Sequence, residues 1–274
     1  MDVKDKTILV TGATDGIGRQ TALDLARLGA RVLIHGRNKE KGIRTLDELN
    51  RETCNEKLAL YVADFSSLAD VRRMAEEIKR EQSHLDVLIN NAGSFFKDHE
   101  LNADGLEMTF VVNHLASFLL TNLLLDLLKK SAPARVVTVE SSAHKNIKEI
   151  DWENLQGEKT YDEFDAYALC KLASICTMNE LAQRLAGSGV TVNTLHPGVI
   201  DTKLLRMSYN IPGASVEEGA QTSVYLATET EVEGVTGKYF SHKVEKPVSD
   251  LAKDPQNQKK FWDISEQLVA ENMG

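Results

Sequence analysis

The sequence predicts an α/β protein in which a parallel sheet is covered by helices on both sides. Three observations lead there. Short β-branched runs recur along the chain, segments with helical spacing lie between them, and the runs are apolar at every position rather than at every second one. Strands buried on both faces and separated by helices belong to a parallel sheet. The predicted strands are Ile8–Val10, Val32–Ile34, Leu58–Val62, Val87–Ile89, Val136–Val139 and Val190–Leu195. Between them the spacing predicts helices over Arg19–Leu28, Asn38–Glu52, Leu68–Glu81, Leu106–Lys129 and Phe164–Leu185, with a C-terminal helix near 257–272. Neither an internal repeat nor a Pro/Gly-rich linker interrupts the alternation, so 1–274 is predicted to form a single domain. Two stretches break the rhythm. Lys145–Asp165 is polar and reads as a long loop, and Asp201–Val216, which carries Pro212 and Gly213, reads as a lid over a site.

Composition narrows the function. A 274-residue chain that is 42% hydrophobic can bury a large core. Its net charge of −9 argues against nucleic acid or an anionic membrane as the main partner. Cys54, Cys170 and Cys176 are odd in number and lack metal-ligand spacing, so free thiols in a reducing compartment are expected and no metal site. The N-terminal residues enter a strand at once, without the pattern of a signal peptide. The most apolar helical stretch, Leu115–Leu128, is cut by Thr121, Asn122 and Asp126 and reads as too short for a transmembrane segment. A soluble, cytoplasmic protein is the expectation.

The first predicted strand runs into "TGATDGIG", Thr11–Gly18, and then into a helix. Glycines at 12, 16 and 18 let a backbone turn tightly and approach a pyrophosphate, whose charge a helix N-terminus can meet. The alternative is a glycine-rich turn without a ligand. At the end of the second strand, where an NAD-preferring dinucleotide fold offers an acid to the ribose, this chain has Arg37, nineteen residues after Gly18. A guanidinium there suits the additional phosphate of NADP, so NADP is the expected cofactor and NAD the less favoured one. A solvated surface arginine is the competing reading.

Taken together, the motifs "TGATDGIG" at 11–18, "ADF" at 63–65, "NNAG" at 90–93, "VNHL" at 112–115, "VESSAH" at 139–144, "YALCK" at 167–171 and "HPGVIDT" at 196–202 resemble those of the short-chain dehydrogenase/reductase family in content and order. "GRN" after the second strand and "NLQGE" at 154–158 point to its retinol-dehydrogenase-like branch. The resemblance implies a doubly wound (Rossmann) sheet of about seven strands, a nicotinamide cofactor and an oxidoreductase acting on a small-molecule alcohol/carbonyl pair.

It also implies roles for particular residues. Tyr167 is the general acid/base and Lys171, one helical turn on, stabilises its phenolate and reaches the nicotinamide ribose. Either Ser141 or Ser142 polarises the carbonyl; the branch places two serines, one residue, then Ala-His, which matches Ser141 to the working serine and leaves Glu140 in place of the first. That carboxylate reads either as a solvated neighbour or as a charge that perturbs the site. Asn113 completes the set, its alternative role being a helix cap. Cofactor contacts carried over are Gly12, Thr14, Asp15, Gly16, Ile17 and Gly18 in the first turn, Asp64 and Phe65 after the third strand, and Asn90, Ala92 and Gly93 after the fourth. Pro197, Gly198, Val199 and Thr202 follow after the sixth. Asp15 sits where many NADP-preferring relatives place a base. His144 and His196 read as packed or loop histidines, and Cys170 as a packing residue. Leu204, Leu205, Met207, Tyr209, Ile211 and Pro212 make the lid apolar and suggest a lipophilic substrate. The helices 106–129 and 164–185 offer a face for a homodimer. A catalytically silent nucleotide-binding scaffold is the alternative function, and an epimerase is disfavoured because only about 75 residues follow the sixth strand.

Overall fold

The structure is a computed structural model that describes residues 1–209 and 211–271. One eight-stranded sheet organises them, in the order β3-β2-β1-β4-β5-β6-β7-β8. The strands are β1 (Thr7–Val10), β2 (Arg31–Gly36), β3 (Leu58–Val62), β4 (Val87–Asn90), β5 (Ala134–Val139), β6 (Val190–His196), β7 (Lys238–Ser241) and β8 (Val244–Lys246). The first seven are parallel, and β8 turns back antiparallel on β7 as an exposed edge. That edge accounts for eight strands where about seven were expected. The strand order reverses between β3-β2-β1 and β4-β5-β6, and the crevice at the carboxyl ends of β1 and β4 is the place where such sheets bind ligands.

Every residue of β1 and β4 is buried, as strands covered on both faces require. Two cores lie on the two faces of the sheet. One gathers Leu9, Leu33, Leu88 and Val136 under α3 (Leu68–Glu81), α5 (Ala116–Lys130), α6 (Glu163–Arg184) and α10 (Pro255–Glu271). The other gathers Ile8, Val10, Ile34 and Ile89 under α1 (Gly16–Arg27), α2 (Lys39–Thr53) and α8 (Val216–Thr228). At roughly 1.5–3 kcal/mol for each large apolar side chain fully buried, the strands and the helices that cover them share the stabilisation.

Helix ends follow local chemistry. Asn38 caps α2 by accepting from the Lys41 N–H at 2.8 Å, and Ser67 caps α3 through Asp70. Three expectations need correction. The apolar helix expected to be too short for a membrane is part of a continuous helical run, Met108–Lys130, which by length and composition could cross one; 72% of its most apolar window is buried inside this fold. The run comprises α4 (Met108–Phe110), a π-helical turn at Val111–Leu115, and α5. The stretch read as an irregular lid holds a short helix, α7 (Lys203–Ser208), and a parallel bridge between Ile200 and Ala214. The C-terminal helix begins two residues earlier than expected, after the short α9 (Asp250–Lys253), and residue 272 lies outside the described residues. Because α10 packs along α6, part of the face expected to pair two subunits is covered by the chain itself.

Candidate active site

The first half of the site is built from backbone. After β1, Gly12 has φ +64°, and a Cβ there would stand 2.8 Å from the Ala92 Cα. At Gly18 a Cβ would stand 2.4 Å from the Gly12 carbonyl oxygen. Neither position accepts a side chain without displacing main chain, so the turn is held tight against the start of α1. Thr11 ties it to the "NNAG" segment: its hydroxyl accepts from the N–H groups of Asn91 and Ala92 at 2.9 and 3.0 Å, and its carbonyl accepts from the Asn91 amide at 2.8 Å. Asp15 caps α1 through the Gly16 N–H. Its other oxygen lies 2.5 Å from Lys41 Nζ, and that lysine, first by hydrogen bond, holds the carboxyl below its ordinary range. Thr14 and Ile17 complete the turn, with Ile17 against Gly219 of α8.

His35 carried no signal of its role in the sequence. It is 3% exposed, its Nδ1 accepts from the Gly12 N–H at 3.2 Å, and its Nε2 pairs with the Ala63 carbonyl at 3.0 Å. Those two bonds call for one neutral tautomer, with the proton on Nε2. Burial lowers its pKa to about 4, which keeps that tautomer in place. Phe65, expected at the cofactor, is buried and stacks on His35 with ring centroids 4.2 Å apart. Asn90 likewise turns its amide into the core, to Thr121 at 2.9 Å. Phe65 therefore supports the turn through His35, while Asn90 ties β4 to α5. Asp64 accepts from the Ser66 N–H at 3.0 Å, a local turn that precedes the Ser67 cap of α3. Arg37 is exposed and makes no hydrogen bond or ion pair with another described residue.

The second half is built from buried side chains. Tyr167 and Lys171 lie one turn apart on α6, with the Lys171 ammonium 5.7 Å from the Tyr167 ring centre. Ser141, just past β5, acts on the Tyr167 phenol to favour its ionised form, and its hydroxyl accepts from the Ala143 N–H at 3.1 Å. His144 donates from Nδ1 to the Ser141 carbonyl at 2.6 Å and accepts at Nε2 from the Ser249 N–H, so it steadies the serine as a packed residue. Ser142 instead lies 3.5 Å from His196 Nε2. Asn113 sits in the π-turn, a feature frequent at functional sites, where its amide donates to the Thr109 carbonyl and its oxygen accepts from Ser94 N–H, both at 2.9 Å. Gly93 stands directly against that oxygen.

Glu140 is the feature that was left open. Its carboxylate is fully buried, with one oxygen 3.2 Å from Lys171 Nζ and the other accepting from the Ser174 hydroxyl. Lys171 also donates to the Val139 carbonyl at 3.1 Å. Burial works most strongly against the ammonium, but Glu140, together with Tyr167 and Cys170, holds the lysine above its ordinary range. Burial raises the pKa of Tyr167, and although Lys171 and Ser141 pull it down, Cys170 and Glu140 push it further up, so the protein's own groups leave the phenol above its ordinary value. Cys170 is buried and donates to the Tyr167 carbonyl, as a packing residue would.

After β6 the chain passes through Pro197, Gly198 and the half-exposed Val199, and Thr202 caps α7 beside Gly16. The lid brings Tyr209 onto Phe164 at 5.1 Å; Phe164 meets Phe95 at 5.3 Å, and Phe95 meets Tyr167 at 5.8 Å. A row of aromatic rings thus leads to the phenol. Met207 and Ile211 are exposed beside it, and residue 210 of the expected lid lies outside the described residues.

Comparison with known proteins agrees with this geometry. The short chain dehydrogenase family model matches residues 6–210. Retinol dehydrogenase 14 of Mus musculus is 43% identical, over 96% of this chain and 86% of its own length. Retinol dehydrogenase 11 of Homo sapiens is 41% identical, over the same shares. Among solved structures, an uncharacterised protein from Mycobacterium paratuberculosis superposes with a TM-score of 0.80 at 31% identity, covering 98% of this chain and 96% of that one. The Pseudomonas aeruginosa RhlG/NADP active-site complex superposes with a TM-score of 0.71 at 28% identity, covering 88% and 95%. The chain belongs to the short-chain dehydrogenase family, in its retinol-dehydrogenase-like branch, and is an oxidoreductase of the alcohol/carbonyl pair that uses a nicotinamide cofactor.

Proposed function

We propose that the protein interconverts a lipophilic alcohol and its ketone or aldehyde with NADP(H), using Tyr167 as general acid and base. The observation that carries this reading is the grouping of Ser141 and Lys171 about the Tyr167 phenol, beside a row of aromatic rings. Gly12, Gly16 and Gly18 would hold the pyrophosphate, Arg37 and Lys41 the 2′-phosphate, and Lys171 the nicotinamide ribose. The fit is supported by a glycine turn at the N-terminus of α1, packed too tightly for a side chain at Gly12 or Gly18, and by an exposed guanidinium without an internal partner among the described residues. Asp64, Ala92 and Gly93 would border the adenosine, and Pro197, Gly198, Val199 and Thr202 the nicotinamide.

The bound cofactor supplies or accepts the hydride. In reduction, Ser141 donates a hydrogen bond to the carbonyl oxygen and Tyr167 gives that oxygen its proton, leaving a phenolate to be reprotonated. Oxidation runs the same steps in reverse. Since burial holds Tyr167 up, the positive charge needed to bring it towards neutral pH comes from Lys171 together with the oxidised nicotinamide. Asn113 steadies the turn behind Lys171. Free thiols at Cys54, Cys170 and Cys176 support a reducing, cytoplasmic setting. A homodimer through α5 and α6 is not part of the proposal, because α10 occupies that side.

The test is NADPH consumption across a panel of aldehydes and ketones graded in chain length. Turnover that rises with apolar size, and is lower with NADH, is expected. A protein that binds NADPH but turns over no carbonyl in the panel would contradict the reading and favour the silent scaffold.

A further inference from the structure

The branch pattern has a serine where this chain has Glu140, and the reaction as outlined does not use a carboxylate. Yet Glu140 is 3% exposed and its oxygens are 3.2 Å from Lys171 Nζ and within hydrogen-bond reach of Ser174. A buried carboxylate costs several kcal/mol to desolvate unless it is paired. Its position therefore ties it to the lysine, and through the lysine to the phenol. We propose that Glu140 is a positioning residue for the reaction: it anchors the Lys171 ammonium against the end of β5 and balances its charge, so that the Tyr167–Lys171 pair keeps its proton to higher pH. This rests on Tyr167 being the acid/base.

The argument is a charge count over the groups that face the pair. From α6 these are Tyr167, Cys170 and Lys171; from the π-turn, His114; from β6, His196; from β7, Tyr239; and beside Ser141, His144. Burial lowers His114 to about 3 and His196 to about 4 and also lowers His144, so all three are neutral at neutral pH. Burial raises Cys170 and Tyr239, so they too are neutral. Burial raises Glu140, but the Lys171 ammonium 3.2 Å away pulls it back, so these two are counted as an ion pair. The pair is neutral before the phenol ionises and carries one negative charge afterwards, with Glu107, which also acts on Cys170, adding the same charge to both states. With glutamine at 140 the same cluster would be positive before and neutral afterwards. Burial penalises net charge, so proton loss must come more easily in the variant, whichever of the tyrosine and lysine gives up the proton. The functional consequence is a division of the pH range. With Glu140 in place, the protonated phenol that carbonyl reduction needs persists to higher pH, and alcohol oxidation, which needs the phenolate, requires more alkaline solution.

The experiment compares the native protein, Glu140→Gln and Glu140→Asp. Phenolate absorbance is titrated without cofactor, each protein read against its own Tyr167→Phe counterpart so that only Tyr167 contributes. Glu140→Gln should move that titration down by about one pH unit or more, the size expected for one close charge, and Glu140→Asp should stay near the native curve. The pH profile of kcat for alcohol oxidation should move the same way, with KM changed far less. Superimposable titrations for the native and glutamine proteins, or an upward shift in the variant, would overturn the proposal. If Glu140→Gln does not fold, Glu140→Ser carries the same expectation. The titration needs no turnover: a shifted phenolate in a protein inactive on every carbonyl would uphold the role of Glu140 and defeat the activity reading instead.

Discussion

The two halves of the site solve different physical problems. Around β1 and α1 the chain has to let a highly charged ligand approach its backbone, and it does so by removing side chains at Gly12 and Gly18 and leaving its charges, Asp15, Arg37 and Lys41, at or near the surface. Around α6 it has to move one proton, and it does so by burying charge: Lys171 and Glu140 are both almost fully enclosed. Exposed charges are screened and interact weakly, while buried ones set each other's protonation state. Binding and chemistry should accordingly respond to substitution in separable ways, except at Lys171, which belongs to both.

Lys171→Ala should therefore have the largest effect of the substitutions that join the halves. Turnover should fall by about 10²-fold or more, because the phenol loses its cation, and NADPH affinity should weaken in the same protein. Combined with Tyr167→Phe, the loss should be clearly less than the product of the two separate losses, since both act through one proton transfer. Multiplicative losses would break the link between the halves.

Arg37→Ala should leave carbonyl chemistry intact and reduce the preference for NADPH over NADH by about ten- to a hundredfold, the worth of a charge-assisted hydrogen bond of roughly 1.5–3 kcal/mol. Lys41→Ala should cost less, because that lysine is shared with Asp15. Dissociation constants for both cofactors, measured by fluorescence titration, decide the matter; equal native values would remove the role assigned to Arg37.

His35 lets the first half be tested through stability. Its pKa is lowered by burial from 6.5 to about 4, so the unfolded chain takes up the proton first as pH falls. Stability that is fully present above about 6.5 should decline towards pH 4, by up to roughly 3 kcal/mol from this residue. Thermal unfolding across that range should show a shallower decline for His35→Gln than for the native protein.

The smallest effect is expected in the lid. Residues 201–209 and 211–216 rest on one short helix and a single bridge, so their amides should exchange faster than those of β4–β6, and NADPH should slow them. Unchanged exchange in this segment on adding NADPH would count against closure over the site.

What the sequence disclosed follows the same division. Fully apolar strands and the glycines of the first turn declare themselves, since close approach is written in residue type; the helix predicted over Leu68–Glu81 has those bounds in the structure. Tyr167 and Lys171 are legible because helical spacing fixes their common face. Spacing puts the Lys171 cation one turn from Tyr167 but says nothing of the burial that raises the phenol. Glu140 was undecidable for the same reason: a glutamate past the end of a strand can face solvent or core, and only the packing of α6 over β5 chooses. Motif places Phe65 and Asn90 near the ligand but does not say where their side chains go: Phe65 stacks on His35 and the Asn90 amide reaches Thr121. The helix α8 had a signal that went unread, the capping box of Ser215 and Glu218.

The central claim is that Tyr167 moves the proton and that the glycine turn binds the cofactor without its help. It is tested most directly by measuring NADPH affinity and carbonyl turnover on one preparation of Tyr167→Phe, which keeps the ring against Phe95 and removes only the hydroxyl. NADPH affinity within a few-fold of native, with turnover reduced by roughly 10²–10⁴-fold, is the predicted result. Near-native turnover by a folded, cofactor-binding Tyr167→Phe protein would contradict it.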